Sequence, residues 1–186
     1  MANVRRWINL TPHPSARVEA VHAVKARALR SATELRIGFR LYGDLSHIVV
    51  PPPAAPRIDT ELWRHTCFET FVRVDGEAGY YEFNFAPSGA WAIYAFSGYR
   101  AGGPLGDESM RPEIAVRATP ARLELDALVR LERVAELRRA ARLRVGLSAV
   151  LESRGGFSYW ALCHPMERPD FHHPGGFTLL LEPSKA

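Results

Sequence analysis

The stretch "ELWRHTCFETFVRVDGEAGYYEFNFAPSGAWAIYAF", residues 61–96, decides the fold. It reads as three strands separated by two turns. "DGEAG" (75–79) has the composition of a hairpin loop and "APSG" (86–89) that of a tight turn. Alternation in the first strand puts Phe68, Thr70, Val72 and Val74 on one face and Cys67, Glu69, Phe71 and Arg73 on the other. In the second strand Tyr81, Phe83 and Phe85 form the bulky set, opposed by Tyr80, Glu82 and Asn84. If the 75–79 loop pairs these strands, Glu69, Glu82 and Asn84 share the face turned away from the core. Trp63 stands just before the first strand and Trp91 opens the third. The expected product is a shallow polar surface edged by indoles, and the alternative is a sheet face that simply meets water.

The period of two continues on both sides. Leu35, Ile37, Phe39 and Leu41 alternate with Arg36, Gly38 and Arg40. Leu123, Leu125, Ala127 and Val129 repeat the pattern, as do Leu143, Val145, Leu147, Ala149 and Leu151. Further strands are expected over 18–29, 91–96, 113–118, 157–163 and 177–182, with "SRGGF" as another turn. So many antiparallel strands with short punctuation predict an all-β chain, a sandwich or barrel. One segment departs: "LERVAELRRAARL" (131–143) places Val134, Leu137 and Ala141 at helical spacing, which predicts one short helix with a solvated arginine face. "VVPPPAAPRID" (49–59) is too rich in proline for a central strand and reads as extended loop within a single domain spanning 1–186. A second long loop, "CHPMERPDFHHPGG" (163–176), carries much of the chain's chemistry.

Composition narrows the function classes. Apolar residues make up 47% and charged residues 24%, the balance of a folded globular chain. The pI of about 9.4 accompanies a net charge of only +4 with basic residues spread throughout, which argues against a nucleic-acid partner. Of 24 basic residues only Lys25 and Lys185 are lysines, leaving 22 arginines. No run approaches the roughly 20 apolar residues of a membrane span. The amino-terminal segment also lacks the apolar stretch of a secretory signal, so a cytoplasmic protein is expected. Cys67 and Cys163 read as free thiols, a disulfide between them remaining open.

The runs "LWRHTCFETFVRV", "YYEFNFAPSGAWAIYAFSGYR", "LSAVLE", "SYWALCHP" and "RPDFHHP" resemble the bacterial DOMON-like proteins, which are similar to family 9 carbohydrate-binding modules. The resemblance covers roughly residues 8–183. It implies a two-sheet antiparallel β-sandwich, jelly-roll-like, with its ligand on one sheet and the bordering loops, and binding in place of catalysis. Sugars or heme are the ligands it implies. In the carbohydrate-binding branch a tryptophan precedes a glutamate by six positions and the next strand carries Arg-x-Asn. Trp63, Glu69 and Asn84 match these patterns, whereas Glu82 stands where that branch has arginine. A second tryptophan from the carboxy-terminal loop has no counterpart beyond Phe171 or His172.

The expected ligand is therefore a carbohydrate or related polar molecule. Trp63 would stack on it, Glu69, Glu82 and Asn84 would bond its hydroxyls, and Arg100 and His172 would line the rim. Heme held by a methionine (Met110 or Met166) and a histidine is the alternative cofactor. A metal on His164, His172 and His173 lacks the usual ligand spacing. Glu69 and Glu82 as an acid/base pair on a glycoside form the enzymatic alternative. No nucleophile elbow, phosphate loop or dinucleotide fingerprint is present.

Overall fold

The computed structural model describes residues 6–16 and 18–183. In chain order the strands are β1 (Ile8–Asn9), β2 (Thr11–Pro12), β3 (Val21–Arg30), β4 (Glu34–Gly43), β5 (Cys67–Val74), β6 (Tyr80–Phe85) and β7 (Trp91–Gly98). There follow β8 (Ala101–Leu105), β9 (Glu113–Thr119), β10 (Arg122–Arg130), β11 (Leu143–Ser153), β12 (Gly156–Ala161) and β13 (Leu179–Leu181). They form two antiparallel sheets. One has the order β1-β3-β4-β10-β9; the other runs β2-β12-β11-β5-β6-β7-β8, with β13 also on β11. The alternation left sandwich and barrel both open, and the two-sheet sandwich that the resemblance implies is the architecture found.

The sheets meet through the apolar faces that the period of two defines. Leu35, Ile37, Phe39 and Leu41 of β4 are buried against Phe68 and Val72 of β5, Phe83 and Phe85 of β6, and the odd-numbered residues of β11. Phe39 and Phe68 touch across the layers with ring centroids 5.0 Å apart. Trp91 is fully buried here and Trp160 nearly so. Trp91 is thus a core residue and no part of an aromatic edge, because its position in β7 has the parity of Ile93 and not that of Tyr94. On the outer face of the five-stranded sheet the arginines are engaged: Arg27 and Arg40 clamp the Trp7 ring at 4.5 and 4.1 Å. Arg117 pairs with Asp126 at 2.7 Å.

The helical segment is shorter than its spacing predicts. A 3-10 turn at Leu131–Arg133 leads into α1 (Ala135–Arg139), and Ala141 lies exposed outside it. Arg30, 1% exposed, ends the helix by donating from Nη2 to the carbonyls of Leu137 and Ala140, each at 2.7 Å. A cation on the carbonyl end of a helix satisfies groups the helix itself leaves open. Three strands escaped the alternation: β1 and β2 are two residues long, and β8 has the sequence "AGGPL", which has the composition of a loop.

The eight-stranded sheet is covered on its second face as well. The 3-10 turn at Leu62–Arg64 and the 163–176 loop border part of it, with a cleft between them. Two small apolar clusters sit on this outer face. Leu62, Cys67, Ala86, Ala90 and Ala92 form one, and Phe71, Tyr80 and Phe177 the other.

Candidate functional site

Strand register assembles the floor of the cleft. Glu69 lies opposite Ser148 on one side and Asn84 on the other, so a row of polar side chains crosses β11, β5 and β6. Glu82 sits one step along β6, opposite Phe71 and Tyr94. The row is not the wet surface expected: Glu69 is 3% exposed, Glu82 4% and Asn84 0%. Loops that the period of two does not describe help to wall it in.

Above the floor is an open cleft of about 840 Å³. Its walls include Trp63, Tyr94, Phe96, Phe157, Tyr159 and Phe171, and Glu69, Glu82, Arg100 and His172 reach into it. Five of the six residues singled out in the sequence therefore line one cleft. Asn84 stands behind them, its Nδ2 donating to Glu82 Oε1 at 2.8 Å. Its place is to orient Glu82. Trp63 is 46% exposed on a 3-10 turn, Leu62–Arg64, and borders the mouth.

The carboxy-terminal loop is pinned through Asp170, which the sequence reading missed. Its carboxylate accepts from Tyr99 Oη at 2.7 Å, Arg100 Nη2 at 2.9 Å and the His172 backbone N–H at 3.2 Å. Burial opposes ionisation of Asp170, but the Tyr99 and Arg100 bonds hold its carboxyl below the usual range. No spacing rule points to such a residue; a carboxylate two positions before a histidine in a chemically rich loop was the available hint. Arg100 is consequently a rim residue already paired. Among the described residues the two non-glycine positions with positive φ, Glu61 at 63° and Arg100 at 54°, both flank this cleft. Backbone held in that region concentrates at functional sites.

The proton on His172 follows from its neighbours. Arg100 N–H donates to Tyr80 Oη at 3.1 Å, so the Tyr80 hydroxyl is free to donate to His172 Nδ1 at 2.8 Å. Nε2 then carries the hydrogen and faces Glu82 Oε2 at 3.6 Å, too far for a direct bond. Burial, then repulsion from Arg100, lowers the imidazole to about 4, so this is a neutral ring and not an ion pair. Burial pushes Glu82 up to about 7 against the pull of the Asn84 amide and Arg100. Burial, then the charge of Glu82, raises Glu69 well above the carboxylate range.

Several buried polar atoms here have no partner: Glu69 Oε1, Asn84 Oδ1 and Ser148 Oγ. Each such atom costs roughly 1–3 kcal/mol if left unsatisfied. They form one contiguous row under the cleft, where a bound molecule or water can complete them.

A Met–His heme pair does not assemble in this cleft. Met110 packs against the inter-sheet core, and Met166 is half exposed, its carbonyl facing His13 Nε2 at 3.3 Å. His172, the histidine of the cleft, commits Nδ1 to Tyr80. Nor do three His, Cys, Asp or Glu side chains converge as metal ligands among the described residues. His164 instead bonds the Thr11 carbonyl at 2.8 Å and His173 accepts from Gly175 N–H at 3.1 Å. Cys67 and Cys163 are both free.

No protein-family model and no curated protein sequence matches the chain. Solved structures do match it. A candidate carbohydrate-binding protein from Bacteroides uniformis ATCC 8492 superposes with a TM-score of 0.64 at 16% identity, over 94% of this chain and 86% of that one. A family 9 carbohydrate-binding module from Caldicellulosiruptor kristjanssonii in complex with glucose gives 0.57 at 9% identity, over 97% and 85%. The Caldicellulosiruptor kristjanssonii module in complex with cellotriose gives 0.56 at 10%, over 97% and 84%. The protein thus has the fold of carbohydrate-binding modules.

Proposed function

We propose that the protein is a DOMON-like, non-catalytic module that binds a carbohydrate in the cleft over the eight-stranded sheet. The observation that carries this reading is the row of unpartnered polar atoms beneath an aromatic-walled cleft. Hydroxyl groups of a sugar donate and accept at once and would complete that row, while an indole covers the C–H face of the ring. Trp63 supplies the indole, Glu69 the acceptor, and Asn84 and Ser148 the groups behind it. Solved neighbours with bound glucose and cellotriose support the reading.

Glu69 and Glu82 also carry the raised carboxyls of a catalytic pair. Their placement favours binding. Both rise from one face of one sheet, on adjacent strands in diagonal register, so they address a ligand from the same side. Glycoside hydrolysis sets its two carboxyls on opposite sides of the bond to be cut.

A glycan screen by titration calorimetry tests the site. Affinity in the micromolar to millimolar range is expected, on the order of 4–8 kcal/mol. Trp63→Ala should weaken binding about tenfold or more, beyond the loss of simple contact area, and leave the circular dichroism unchanged because the ring is half exposed. Binding that survives both Trp63→Ala and Glu69→Gln at full strength would place the ligand elsewhere.

A further inference from the structure

Two carboxyls reach into the cleft, those of Glu69 and Glu82, and each keeps an oxygen that no side chain donates to directly. Asn84 gives an amide hydrogen to Glu82 Oε1, and its Oδ1, fully buried, stands beside Glu69 Oε1 without a donor. The second oxygen of Glu82 has only the Nε2 of a neutral His172 at 3.6 Å. Among the described residues no arginine forms a salt bridge with either glutamate, although the charge of Arg100 reaches both. Arg100 is bonded to Asp170 and Arg64 to Glu61 at 3.0 Å, while Arg168 borders the cleft as an exposed side chain. Cys67, on the same face, is a buried thiol whose ionisation burial and both glutamates suppress. The hydroxyl of Tyr80 is engaged by His172 and that of Tyr94 accepts from Glu61 N–H at 3.1 Å.

We infer that the ligand brings the missing charge: the floor is built for a protonated amine, and the carbohydrate of this site is an amino sugar with a free cationic nitrogen. An ammonium group offers three hydrogens and no acceptor, the complement of the Glu69 and Glu82 carboxyls that reach into the cleft. Tyr94 and Phe96, which stack at 6.2 Å on the neighbouring strand, add ring faces of the kind that attract a cation. The inference rests on the carbohydrate reading and narrows it. A neutral sugar would leave the two buried carboxyls sharing one proton, whereas an ammonium lets both ionise. The proton displaced on binding passes to the buffer, so charge balances: one cation enters and one proton leaves.

Calorimetry with glucosamine, glucose, N-acetylglucosamine and ethanolamine, near neutral pH and in two buffers of different ionisation enthalpy, separates the cases. Glucosamine should bind at least about tenfold more tightly than glucose or the acetylated sugar, the value of one charged hydrogen bond. Its heat should depend on the buffer. Lowering the pH through the carboxyl range should collapse that ratio in the wild type, and Glu69→Gln or Glu82→Gln should collapse it near neutrality in protein whose circular dichroism is unchanged. Equal affinities for glucose and glucosamine, with no buffer dependence, would overturn the inference and leave the carbohydrate reading in place. Ethanolamine binding as tightly as glucosamine while neutral sugars fail would overturn both, as would binding of none of the four.

Discussion

Glu82 shows how one side chain sets a stability profile. Its carboxyl titrates at 4.5 unfolded and about 7 folded, so between those values the folded protein holds a proton the unfolded chain has released. Stability must therefore fall as pH climbs through that window, and the penalty is complete above it. His172 acts with the opposite sign lower down: 6.5 unfolded and about 4 folded means that stability is lost as pH drops through that range. Glu82→Gln should then be more stable than the wild type at about pH 8, by roughly 1–3 kcal/mol in denaturant unfolding, and lose the advantage towards about pH 5. A wild type more stable than the variant at the higher pH would mean that the ionised carboxylate is well paired. Parity alone made Glu69, Glu82 and Asn84 legible as one group. Their burial was not, because it depends on loops whose path no periodicity encodes.

At the scale of elements, β8 and the turn before it make one wall of the cleft. A side chain at Gly102 would place its Cβ 2.0 Å from the Ala95 carbonyl oxygen, so β7 and β8 can approach only because this residue has none. Gly102→Ala should cost about 1–3 kcal/mol in denaturant melts and weaken ligand binding together with stability, since Gly102, Gly103 and Pro104 border the cleft. Loss of stability with unaltered affinity would detach this strand from the site. The long strands were readable from alternation, and so were the turns at 75–79 and 86–89. "AGGPL" was not: two glycines and a proline suppress strand propensity, and the pairing comes from the neighbouring strand's register. The helix was overestimated for a related reason. Val134 and Leu137 do bury as their spacing requires, but β11 begins at Leu143 and takes up the chain that a longer helix would need.

For the molecule as a whole, a ligand that binds only the folded state adds its mass-action share to stability. At a hundredfold excess over Kd that share is about 2.7 kcal/mol, and a chain of this length should melt roughly 5–10 °C higher. Differential scanning calorimetry with the sugar that binds best in the screen measures the shift. An unchanged melting temperature at saturating ligand would show that the ligand does not discriminate folded from unfolded chain. An all-β chain followed from the period of two, which left sandwich and barrel both open. The cleft is a property of the assembled layers, and residues such as Asp170 and Ser148 acquire their places only there.

The two faces of the central strands divide their labour by odd and even number. In β5 the residues 68 and 72 hold the core while 67, 69 and 71 address the outer face; in β6 the residues 81, 83 and 85 hold the core while 80, 82 and 84 turn outward. In β11 the core takes the odd positions and the outer face the even ones. Natural variation therefore meets two nearly independent alphabets interleaved in the same 8, 6 and 11 letters of β5, β6 and β11. Lineages can rewrite one, exchanging what the cleft accepts, while the other keeps the scaffold that holds it.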